Sequence, residues 1–159
     1  MNVKYKKYID YIASDIELPY FNYMRDHYGL KQEEMVMVLS KVFNQPVTIK
    51  GNYVYNNQGN EIYYENSNGY WVRREYDAQG NEVYYENSYG NWERREYNEQ
   101  GNEIYFENSN GYWVKYEYNE DGYLTYKEDA DGYWEKNEYD DQCNEVYYEN
   151  SDGVIEDNR

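Results

Sequence analysis

Apolar and polar positions follow two different rhythms along this chain, and the change falls near residue 50. In the first part the spacing is helical. Tyr8, Ile9 and Ile12 recur on one side of a helix over Tyr5–Ala13. Pro19 suits the first turn of a second helix that reaches His27 or Tyr28, with Gly29 as its stop. A third helix spans Lys31–Phe43, with Met35, Val36, Val38, Leu39 and Val42 as its apolar side, and Pro46 ends it. Val47–Lys50 and Tyr53–Tyr55 then read as strands. Beyond them the chain breaks into strand-length runs such as Asn60–Glu65 and Tyr70–Tyr76, rich in aromatic and β-branched residues.

These runs repeat. Glycines stand at 59, 80, 101 and 122, each 21 residues apart, and Cys143 takes the next place. A second series at 69, 90, 111, 132 and 153 keeps the same spacing. Asn66-Ser67-Asn68-Gly69 and Asp77-Ala78-Gln79-Gly80 punctuate the strands. In each, Asn or Asp can bond its own backbone and glycine can take the left-handed conformation. The fold class is therefore α+β: a small N-terminal helical cap, residues 1–50, followed by an elongated antiparallel β-meander over residues 51–159. Its repeats start near 59, 80, 101, 122 and 143, and the array has about nine or ten strands. A cap of this kind covers the first edge of the array against further strand pairing. A helix-turn-helix reading of the second and third helices lacks electrostatic drive, because the segment is nearly neutral.

An odd period constrains the faces. Side chains alternate every residue, so 21 residues per repeat require one turn to keep the alternation and the other to shift it. With a three-residue loop at Asn-Ser-x-Gly and a four-residue loop at Asp-x-x-Gly, Glu61, Tyr63, Glu65, Trp71, Arg73 and Glu75 share one face. Ile62, Tyr64, Tyr70, Val72, Arg74 and Tyr76 then share the other. The opposite assignment of the two turns remains open at this stage.

The stretch Tyr76-Asp77-Ala78-Gln79-Gly80-Asn81, echoed by Tyr97-Asn98-Glu99-Gln100-Gly101-Asn102, resembles the Tyr-Asp (YD/RHS) repeat, a family of strands that wind into long curving sheets. In three of five repeats Asn replaces the Asp, and Asn-Glu replaces the usual Arg-Leu after the glycine. The large toxin-enclosing shells of that family do not carry over to five repeats. The acidic, tyrosine- and asparagine-rich version also resembles small proteins of bacteriophages and mobile elements.

Charge sharpens the functional expectation. The net charge is −17, but residues 1–50 contribute +1 and residues 51–159 contribute −18. Such an array repels nucleic acid and anionic membrane and suits a basic partner. Ten strands at about 4.8 Å spacing span roughly 48 Å, so the array carries about one charge per 2.7 Å, against about one per 1.7 Å for duplex DNA. The leading expectation is a non-enzymatic acidic binding protein that mimics nucleic acid on the basic surface of a nucleic-acid-binding protein. A phage-type inhibitor of a defence nuclease, acting in the anti-CRISPR or anti-restriction manner, has this character. Its acidic rows are Glu65, Glu75, Glu86, Glu96, Glu107, Glu117, Glu128, Glu138 and Glu149. A second expectation is a carbohydrate- or cell-surface-binding module using the aromatic rows Trp71, Trp92, Trp113, Trp134, Tyr63, Tyr84 and Tyr105. A third is a structural or immunity-type module that binds one protein through the helical cap. Cross-strand packing is the plainer role for those rings. An uncovered aromatic face also makes a homodimer an option.

The remaining chemistry is sparse. His27 is the only histidine, and a lone one reads as a surface or interface residue rather than a base. Cys143 leaves no internal disulfide. It stands where sister repeats have glycine, at a cost of about 1 kcal/mol if left-handed, so a degenerate last turn is expected. Asp129-Ala130-Asp131-Gly132 looks like a calcium loop, but sister turns lack its carboxylates, so it reads as a turn. Carboxylates that repeat identically do not make the two differently tuned acids of a glycosidase. No enzyme activity, cofactor or metal is expected. Asp10 and Asp15 interrupt any apolar stretch behind Lys4, Lys6 and Lys7, so the N-terminus does not read as a secretory signal, and a cytoplasmic location, including a host cytoplasm, is expected.

Overall fold

The computed structural model describes residues 3–159; the side chains of Lys4, Tyr5 and Tyr8, named above from the sequence, lie outside the described residues. Three helices come first: α1 (Val3–Asp15), α2 (Tyr20–Tyr28) and α3 (Gln32–Val42). Pro19 stands just before α2, and Gly29 ends it with φ 62°, donating its backbone N–H to the Arg25 carbonyl. At the start of α3, the Glu34 carboxylate accepts the Lys31 backbone N–H at 3.0 Å.

Twelve strands follow. They are β1 (Thr48–Lys50), β2 (Tyr53–Tyr55), β3 (Glu61–Glu65), β4 (Trp71–Tyr76), β5 (Glu82–Asn87) and β6 (Trp92–Tyr97). Then come β7 (Glu103–Asn108), β8 (Trp113–Tyr118), β9 (Leu124–Asp129), β10 (Trp134–Tyr139), β11 (Glu145–Asn150) and β12 (Ile155–Asp157). They hydrogen-bond in chain order, as an antiparallel meander. The truncated last repeat still adds β12, which pairs Ile155 with Glu149. No helix among the described residues is long and apolar enough to cross a membrane.

The chain divides into two compact bodies. The first holds the described part of residues 1–76 together with Tyr85–Gly90, and it contains the aliphatic core. Ile9 and Ile12 of α1, Phe21 and Met24 of α2, and Val38 and Leu39 of α3 are buried there with Ile49, Val54, Ile62 and Tyr63 from the sheet. Met35, Val36 and Val42 pack on that cluster half-buried. One cross-strand row, Ile49–Val54–Tyr63, lies buried within it. The second body, Asp77–Tyr84 with Asn91–Arg159, consists of strands and turns only.

One side-chain oxygen sets each turn. Asn66 Oδ1 accepts the backbone N–H of Asn68 at 2.9 Å and of Tyr70 at 3.1 Å, while Gly69 N–H closes onto the Asn66 carbonyl. Asp77 does the same with Gln79, Asn81 and Gly80. Both turns are thus three-residue loops closed by a left-handed residue, and the four-residue loop expected at Asp-x-x-Gly is not formed. A β-bulge takes up the odd residue instead. Glu96 faces Tyr105 but Tyr97 faces Glu103, so Ile104 is the extra residue. The same slip recurs at Val54/Tyr55, Glu117/Tyr118 and Glu138/Tyr139. The bulge moves two residues from the expected sorting. Glu61 turns to the other face, where it forms an ion pair with Arg74 instead of standing beside Tyr63, and Ile62, expected with Tyr64 and Val72, is buried with Val54 and Tyr63 in the core.

Tyrosine hydroxyls tie these irregular points together. Tyr76 donates to the Glu61 carbonyl, Tyr118 to that of Glu103 and Tyr139 to that of Leu124, each at 3.0 Å. A buried carbonyl near a bulge needs such a donor. The buried amides of Asn87 and Asn150 likewise donate to Tyr85 and Tyr148 at 3.0 and 2.9 Å. This is why a chain with 26 tyrosines can hold a sheet with few buried aliphatic residues.

Cys143 corrects another expectation. The last turn is not degenerate: Cys143 takes φ 64° and donates to the Asp140 carbonyl at 2.9 Å, as its glycine counterparts do. Replacing a strained β-carbon by none relieves the turn, so Cys143→Gly is expected to raise unfolding stability by about 1 kcal/mol, read from the urea midpoint. A second expectation concerns acid. Hydrogen bonds from the Asn81 and Asn144 side chains hold the Asp77 and Asp140 carboxyls below their ordinary 3.8. Their contribution is therefore full above that value and disappears as pH falls through the depressed ones. The double substitution Asp77→Asn, Asp140→Asn keeps the acceptor oxygen and removes the titration, so its urea midpoint should drop less between about pH 4 and pH 2 than that of the parent.

Candidate functional site

Each repeat carries a tyrosine and a glutamate two residues apart on one face, the spacing that strand alternation puts side by side. In the first, third, fourth and last repeats the two are bonded. Tyr63 donates to Glu65 Oε2 at 2.8 Å, Tyr105 to Glu107 at 3.1 Å, Tyr126 to Glu128 at 3.3 Å and Tyr147 to Glu149 at 2.8 Å. The carboxylates push these tyrosines' pKa above the usual value, together with burial, which is the larger cause at Tyr63, Tyr105 and Tyr126; the bond itself dominates at Tyr147. The hydroxyls are thus protonated donors across the physiological range. In the remaining repeat Tyr84 and Glu86 are both half-buried.

What neutralises the carboxylate differs between the first repeat and the later ones. Cross-strand pairing sets Glu107 between Arg94 and Trp113, and Glu128 between Lys115 and Trp134. Arg94 lies 3.8 Å from Glu107, and Lys115 lies 3.3 Å from Glu128. In the first repeat Trp71 again sits opposite Glu65, but Asn52 holds the cation's place and offers only its backbone carbonyl to Glu65 N–H. The start of α2 fills that role. Glu65 Oε2 accepts Phe21 N–H at 2.6 Å, Oε1 accepts Asn22 N–H at 2.8 Å, and the Tyr63 hydroxyl accepts Tyr20 N–H at 3.0 Å. The positive end of the helix stands in for the arginine or lysine. Tyr20 and Phe21 also pack on the Tyr63 ring at centroid distances of 5.0 and 5.9 Å.

The residues singled out from the sequence therefore separate. Glu65 and Tyr63 are buried, at 1% and 0% exposure, and offer nothing to an outside partner. Trp71 packs half-buried against the core. Glu75 pairs with Arg73, Glu96 with Arg94, and Glu138 with both Lys136 and Arg159. Glu117 is exposed opposite Tyr126. Trp92, Trp113 and Trp134 are half-buried, and Lys115 Nζ lies 5.1 Å from the Trp113 ring centroid, occupying one of its faces. Sequence reading missed the helix amides at Glu65. The signal was present: Asn52 begins a 21-residue series continued by Arg73, Arg94, Lys115 and Lys136, and only its first member lacks a charge.

Other chemistry stays local. Exposed His27 stacks on Tyr23 at 5.0 Å and meets the Tyr28 edge at 4.8 Å. Asp129 Oδ1 accepts Asp131 and Tyr133 N–H groups, as its counterparts do in the other turns. Among the described residues no group of three or more His, Cys, Asp or Glu side chains is placed to hold a metal ion.

No family model matches the chain, and no curated protein matches it. Among solved structures, the crystal structure of TcdB2-TccC3-TEV is similar over 52% of this chain and 5% of that one, at 18% identity and a TM-score of 0.33. A likeness of that extent carries nothing about what the chain does.

The contrast between repeats has a measurable consequence. Glu65→Ala leaves two helix amides and a buried hydroxyl without their acceptor and is expected to cost about 3 kcal/mol in urea unfolding. Glu107→Ala, at a half-exposed ion pair, is expected to cost less than about 1 kcal/mol.

Proposed function

We propose that the chain is a non-enzymatic acidic binding protein whose hairpin array docks on a basic protein surface, one that otherwise holds nucleic acid. The observation that carries this reading is how the array spends its cations. It has eight basic residues, and seven of them, Arg73, Arg74, Arg94, Arg95, Lys115, Lys136 and Arg159, form ion pairs within their own sheet. Arg95 alone gathers Glu82, Glu93 and Glu103. The eighth, Lys127, lies 5.4 Å from the Tyr133 ring centroid. Against them stand 26 acidic residues, so an excess of 18 negative charges has no cation within the array to meet it.

Much of that excess sits on exposed turns, at Glu99, Glu120, Asp121, Asp131, Asp141 and Asp152. Turns of one series recur about every 9.6 Å, two strand spacings. A ladder of anions at regular steps along the sheet attracts counterions that a basic partner releases on binding. A nuclease groove presents the complementary charge, and the resemblance to small phage proteins makes a defence nuclease the first partner class to try.

The test is a titration of the full chain against nucleases with basic DNA grooves. Duplex DNA should compete, affinity should fall steeply with salt, and Glu99→Gln, Glu120→Gln and Asp141→Asn combined should weaken binding at low salt. Binding that ignores both salt and duplex competitor would refute the reading.

A further inference from the structure

We infer that the last repeat holds a second receptor for a helix N-terminus, built from Tyr147, Glu149 and the exposed Ile155, and that its occupant is an amphipathic helix of a partner protein. The inference deepens the proposed function, on which it rests, by naming the element that the array would grip.

The first repeat already shows the ligand. There the Tyr63–Glu65 pair accepts three consecutive backbone N–H groups at the start of α2, with Tyr20 and Phe21 packed beside it. Tyr147–Glu149 reproduces that pair, including the 2.8 Å bond from hydroxyl to Oε2. In the third and fourth repeats a cation stands at the carboxylate, Arg94 for Glu107 and Lys115 for Glu128. In the last repeat the corresponding lysine goes to another carboxylate: Lys136 Nζ bonds Glu138 at 2.9 Å and lies 5.4 Å from the Tyr147 ring centroid. Arg159, the other nearby cation, lies over the Tyr147 ring at 4.3 Å and bonds Glu138 and Asp157. Glu149 is left with the Tyr147 hydroxyl as its side-chain partner, as Glu65 would be without α2.

The flank matches too. Opposite Glu65 stands Trp71, half-buried against the core. Opposite Glu149 stands Ile155, 61% exposed. A carboxylate beside an exposed isoleucine suits what α2 brings to its own site: free amides, two aromatic residues at the first positions and no acidic residue in the first turn.

The probe is a helix-stapled, N-acetylated peptide of residues 18–30, added to the full chain and followed by amide chemical shifts. The α2 portion carries one arginine and one aspartate, so its attraction to the array comes from the helix end and its rings rather than from net charge. Shifts are expected at Tyr147–Asn150 and Ile155. Glu149→Gln in the protein, or Phe21→Glu in the peptide, should weaken binding roughly tenfold. Ile155→Ser should weaken it while leaving the Tyr147–Glu149 pair in place. Equal binding by an unstapled scrambled peptide, or shifts unaffected by Glu149→Gln, would overturn the inference yet leave the salt-dependent nuclease binding standing. Loss of nuclease binding with the peptide still bound would instead sink the proposed function alone.

Discussion

At each turn a carboxamide or carboxylate oxygen turns back to accept one or two N–H groups of its own chain. The path of the polypeptide follows from that short contact. It fixes a three-residue loop and requires a left-handed residue to close it, at Gly69 and at Cys143 alike. It also sets which residues face each other across the hairpin. Because both kinds of turn use the same contact, neither can absorb the odd residue of the period. The strand must do so, and the bulge at Glu103-Ile104 and its counterparts is the result. Which side chains share a face is set by this geometry.

The second body, made of strands and turns, has little aliphatic interior, and its polar groups are met sideways. Tyrosine hydroxyls reach carbonyls beside the bulges, buried asparagine amides reach tyrosines, and arginines lie among glutamates. Ion pairs that water still reaches contribute little each. The rings contribute area and a donor at once, which leucine in the same place would not. The helical part solves the same problem differently, with a conventional core and one carboxylate reaching into a helix end.

Much of this was legible in the sequence. Helix limits at Pro19, Gly29 and Pro46, the turns, and the sorting of Trp71, Arg73, Tyr63 and Glu65 onto one face all follow from periodicity and turn chemistry. The bulge was not legible, because a slipped register and a longer loop satisfy the same parity and differ only in backbone hydrogen bonds. The fate of Glu65 was hidden for another reason. Its sequence neighbourhood matches that of Glu107 and Glu128, and what distinguishes it is a helix more than 40 residues earlier together with the missing charge at Asn52. Repetition suggests equivalence, and tertiary context withdraws it at the first copy.

The bulge also bears on how such an array can change over generations. Since each repeat restores its own parity, gain or loss of a whole 21-residue module by unequal recombination leaves every downstream side chain on its original face. A single inserted codon within a strand would instead invert all that follows until the next irregularity. Length can therefore drift freely in steps of one module, with the spacing of the acidic turns carried along unchanged.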